Sequence, residues 1–90
     1  MSAGELQEKR LAEAVAILVE AIHHDVPAAS TRPLPPYDDE DFTLEVWIPA
    51  RMDRDTVMDI CIRHALAIED QFGFLILTRV KVAEAAETRA

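Results

Sequence analysis

Between residues 42 and 82 the spacing of apolar positions changes period twice, and the change marks out three elements. Phe42, Leu44, Val46 and Ile48 alternate with Thr43, Glu45 and Trp47, which is the two-residue repeat of a half-buried strand. Pro49 stops that repeat, and Asp53 is placed to cap a helix running to about Gln71, with Asp55 near its positive end. Val57, Ile60, Cys61, Ala65 and Ile68 form the sheet-facing stripe of this helix, and Met58, Ile62 and Leu66 flank it. Asp55, Asp59, Arg63 and Asp70 make its polar face. Gly73 supplies the left-handed residue that commonly closes a helix. A second alternating strand follows, with Phe74, Ile76, Thr78, Val80 and Val82 on one face and Leu75, Leu77, Arg79 and Lys81 on the other.

Upstream, Leu11, Val15, Leu18 and Ile22 recur at helical spacing, widened by Ala14, Ile17, Val19 and Ala21. Ser2 and Glu5 match a capping box, and Pro27 disfavours helical geometry at Val26, so the predicted helix covers residues 2–25. Residues 26–41 hold four of the five prolines. From Asp25 to Asp41 there are five acids and one base, a net −4, half of the −8 carried by the whole chain. This stretch is expected to be an extended, solvated connector, and residues 84–90 a short charged tail.

The order αβαβ predicts an α+β fold: one small domain over residues 1–90, with a two-stranded βαβ unit plus the N-terminal helix. Two parallel strands are marginal alone and leave both outer edges with unpaired backbone groups. Dimerisation is therefore expected to complete the sheet, a closed two-fold pair being the commonest oligomer. An alternative places the two strands apart, with a partner's strand between them.

Composition narrows the function. Seventeen acids against nine bases repel a phosphate backbone, so no nucleic acid partner is expected. No apolar run approaches the roughly 20 residues of a membrane span. Cys61 is the single cysteine, which excludes an internal disulfide, and the N-terminus lacks the charged-then-apolar pattern of a secretion signal; a cytoplasmic location is the expectation.

Candidate chemistry is sparse. His23 and His24 project about 100° apart on a helix and do not readily chelate one ion, so no metal is expected there. Cys61 and His64 are three residues apart, near enough for a thiolate pair, yet Cys61 lies on the apolar stripe, where a free cysteine packs as a small hydrophobe. Arg32-Pro33-Leu34-Pro35-Pro36 resembles a polyproline ligand, with a plain linker the simpler reading. Asp38 to Asp41 lack the spacing and glycine of a calcium loop, and two glycines are too few for a phosphate cradle.

No catalytic residue and no cofactor are assigned. The remaining candidate surface is Trp47 with Arg79, Lys81, Leu75 and Leu77, on the strand face opposite the main apolar set. It suits a protein interface, where tryptophan is enriched, or a small anionic ligand held by a cation and a ring. The chain is accordingly expected to be an interaction, assembly or accessory protein, partnered by itself or by another protein. A regulatory module that binds a small anion at a dimer seam or near Trp47 is the alternative.

Overall fold

A computed structural model describes residues 3–36 and 39–83. Helix α1 (Ala3–Asp25) is followed by strand β1 (Ser30–Leu34), strand β2 (Phe42–Ile48), helix α2 (Arg54–Phe72) and strand β3 (Ile76–Val82). The fold is α+β, with a three-stranded mixed sheet in the order β1-β2-β3. β1 runs antiparallel to β2, and β2 runs parallel to β3 through the α2 crossover.

Part of the segment read as a solvated connector is a strand, so the sheet has three strands within a single chain. Ser30–Leu34 lacks an apolar alternation of its own; its extended state comes from backbone pairing to β2, in the register Ser30 with Trp47 through Leu34 with Thr43. The idea of a gap for a partner's strand also falls, because Phe42 pairs directly with Ile76 and Ile48 with Val82. β3 begins at Ile76 rather than Phe74, although Phe74 is buried. Ser2, Tyr37, Asp38 and residues 84–90, on which the capping box, part of the acidic run and the tail reading depend, lie outside the described residues.

The helix ends follow their local chemistry. Asp53 has extended backbone geometry and its carboxylate accepts a hydrogen bond from the Thr56 amide, satisfying one of the free N–H groups at the start of α2. Gly73, at φ 81°, donates its amide to the Glu69 carbonyl and lets the chain turn straight into β3. α1 stops two residues short of Pro27, with a last bond from the Val26 amide to the Ile22 carbonyl.

Both helices and one side of the sheet enclose a single core. Ala14, Leu18 and Ile22 enter it from α1, Val57, Cys61 and Ile68 from α2, and Leu44, Val46, Ile48, Ile76 and Val80 from the sheet. The inward set read from strand 42–48 matches this, as does the stripe of α1 except at Ile17, which is exposed. Arg10 of α1 lies over the rings of Phe72 and Phe74, 5.9 Å from each centroid, so the first half of α1 is tied to the turn that opens β3.

Candidate functional site

Backbone direction decides which strand edges are available. The Ala83 amide donates to the Ile48 carbonyl, and the Leu75 carbonyl accepts from the Asp41 amide, so the odd-numbered residues of β3 aim their backbone groups at β2. Backbone N–H and C=O of alternate residues point to opposite sides of a strand. Ile76, Thr78, Val80 and Val82 therefore face outward along the free edge. By the same alternation the odd-numbered residues of β2 face β1, and Ser30, Arg32 and Leu34 pair with them, leaving Thr31 and Pro33 outward.

The two edges are thus unequal. On β1 the outward position 33 is a proline, which has no N–H to offer, and proline on the outer side of an edge strand discourages further pairing. On β3 the Nε of Arg54 donates to the Val80 carbonyl over 3.2 Å, occupying one outward acceptor. Among the described residues, Ile76 and Thr78 form an open window at the start of the strand, ahead of Arg54, and Val82 lies beyond it.

Beside that window lies an apolar groove of about 220 Å³, walled by Met58, Ile62, Ala65 and Leu66 of α2 and floored by residues 75–78. Ile62, Leu66, Leu75 and Leu77 are all more than two-fifths exposed, four of the six large hydrophobics in that condition among the described residues. Among the described residues Glu69 is the one charged side chain lining it, at the end where the chain turns from α2 into β3. Because α2 runs back along β3, the groove extends from Glu69 and Leu75 towards Met58 and Thr78, and Arg54 at Val80 closes the edge just beyond.

The open face of the sheet carries the other predicted residues. The register sets Trp47 between Ser30 and Lys81, and Glu45 between Arg32 and Arg79. Glu45 is nearly buried and accepts a 2.7 Å hydrogen bond from the Trp47 indole nitrogen. Thr43, fully buried on the same face, donates to Glu40. Trp47, Arg79 and Lys81 thus share a face, while Leu75 and Leu77 reach the groove at the edge of β3. Sequence reasoning missed Glu45 as the centre of the open face. It also placed Ile62 and Leu66 only as flanks of the helix stripe, because their exposure depends on where β3 ends the sheet.

A third cluster joins the helices. The Asp25 carboxylate lies 2.6 Å from Nε2 of His64 and 3.2 Å from Nδ1 of His24. These contacts, first that with His64 and then that with His24, hold the Asp25 carboxyl below its ordinary value. His64 is thereby engaged across to α1, while burial pushes the Cys61 thiol up to about 11, the opposite of what a nucleophile needs. Among the described residues no group of three or more His, Cys, Asp and Glu side chains is disposed to hold a metal ion. No helix among them is long and apolar enough to cross a membrane.

No family model, curated protein or solved structure matches this chain.

Proposed function

We propose that this chain is a small cytoplasmic interaction or assembly protein that acts as a homodimer, its contact surface being the outer edge of β3 with the groove beside it. The observation that carries the reading is the coincidence of an open strand edge at Ile76 and Thr78 with exposed Ile62, Leu66, Leu75 and Leu77. An unpaired edge beside apolar side chains is what another strand covers most readily, since main-chain bonds hold it and the groove takes its side chains. The lone, buried Cys61 suits a reducing compartment.

Absolute mass by light scattering across a dilution series tests it, with Leu66→Glu alongside. The wild-type chain is expected at twice 10.1 kDa and the variant at 10.1 kDa. A wild-type chain that stays monomeric at every concentration refutes the reading; a variant that stays dimeric moves the contact off this edge.

The second reading is a small anionic ligand on the open face, supported by the neighbouring positions of Trp47 and Lys81. Glu45 weakens it, because a carboxylate at the centre of that face repels an anion. Trp47 fluorescence during a metabolite titration separates the two readings, since the groove lies away from the indole.

A further inference from the structure

We infer that the β3 edge takes a second copy of the same strand, antiparallel, about a two-fold axis through Leu77, so that Ile76 of each copy lies opposite Thr78 of the other. The inference rests on the reading of this edge as the contact surface and adds its symmetry and register.

Outward residues pair with outward residues, so the axis can pass through Ile76, Leu77, Thr78 or Arg79, the last of which sets Thr78 against Val80, whose carbonyl Arg54 holds. With Ile76 on the axis, one outward pair forms and Thr78 lies opposite Phe74, before the strand begins. An axis at Thr78 sets Ile76 against Val80, whose carbonyl Arg54 already holds. Only with Leu77 on the axis do both open residues of each copy meet open residues of the other, as two pairs that each exchange two backbone hydrogen bonds. Arg54 acts as the register stop.

Side chains agree with the same placement. An axis perpendicular to the sheet puts both α2 helices on one face, where Ile62 and Leu66 of the two copies cover one another; a parallel pairing leaves them on opposite faces. Leu77 meets its own copy across the seam. Leu75 comes opposite Arg79 on the open face, so the alkyl stem of Arg79 lies over Leu75 of the other copy across the seam.

Cysteine cross-linking tests the register in the full chain. Leu77 on the axis is a pair without mutual hydrogen bonds, with Cα atoms about 4.5 Å apart, inside the span of roughly 4.4–6.8 Å that a disulfide bridges. Under mild oxidation Leu77→Cys is therefore expected to shift from 10.1 kDa to twice that mass on a non-reducing gel. The wild-type chain, with only buried Cys61, is the control and should not shift. Leu75→Cys and Arg79→Cys should each fail to link alone and should link when mixed, since those positions face one another. The mixed pair keeps the test valid if Leu77→Cys weakens association. A wild-type chain that is dimeric by light scattering, with no link at position 77 and none in the mixture, overturns this register and leaves the homodimer standing. A monomeric wild-type chain overturns both.

Discussion

Replacing Leu18 by alanine tests where α1 docks, and the neighbouring Ile17 provides an internal control. Leu18 is 0 % exposed in the middle of the helix, packed into the core that α1 shares with α2 and the sheet, whereas Ile17 is 42 % exposed. Truncating a fully buried leucine removes its transfer free energy and leaves a cavity, together about 2–5 kcal/mol; a value near 3 suits a small domain that relaxes partly around the gap. A chain of this length has a total stability of roughly 5–13 kcal/mol, so Leu18→Ala removes a large fraction of it. For a domain of this size about 3 kcal/mol corresponds to a fall in Tm of roughly 12–24 °C. Ile17→Ala should cost clearly less, about 1 kcal/mol or below, because its side chain is only partly buried and alanine is the better helix former at an exposed position. The assay is thermal unfolding followed by circular dichroism, with all proteins at one concentration because self-association raises apparent stability. Equal shifts for the two variants would refute the helix phase and with it the docking of α1.

Three further outcomes follow from particular contacts. Gly73→Ala meets no atom within 4 Å, so its cost is the left-handed backbone alone, about 1–2 kcal/mol, read as a lower Tm; an unchanged Tm would mean that the turn does not need φ 81°. Asp25 is depressed below 3.8 by His64 and His24, so the stability it contributes is present above about pH 4 and lost as pH falls through its lower folded value. Asp25→Asn should therefore flatten the acid arm of the stability profile relative to wild type, and identical profiles would show that the pairing does not persist in solution. Trp47→Ala should leave the solution mass unchanged, since the indole lies on the open face and not at the β3 edge; a loss of dimer would move the interface to that face.

Local chemistry was enough to locate most elements from the sequence. Alternation in 42–48, the stripe of α2 and the residues Asp53, Gly73 and Pro27 each act over a few positions, and each behaves in the structure as its chemistry requires. β1 was not legible because Ser-Thr-Arg-Pro-Leu has no apolar alternation and its Pro33 argues against a paired strand; β2 imposes it, through pairing to a segment that lies eight or more residues away along the chain. The candidate site was half legible for a related reason. Trp47, Arg79 and Lys81 fall on one face by parity, which a period of two dictates in any sheet.

That Ile62 and Leu66 stand beside an unpaired edge, that Arg54 reaches Val80, and that His64 meets Asp25 were decided by the tertiary structure alone. These contacts depend on how α2 lies along β3 and against α1. The sequence by itself determined the α+β class, the inward faces and the helix ends, since periodicity and capping are properties of neighbouring residues. Which strand edge stays open, and what stands beside it, was left to the packing of elements distant in sequence, where no local preference reaches.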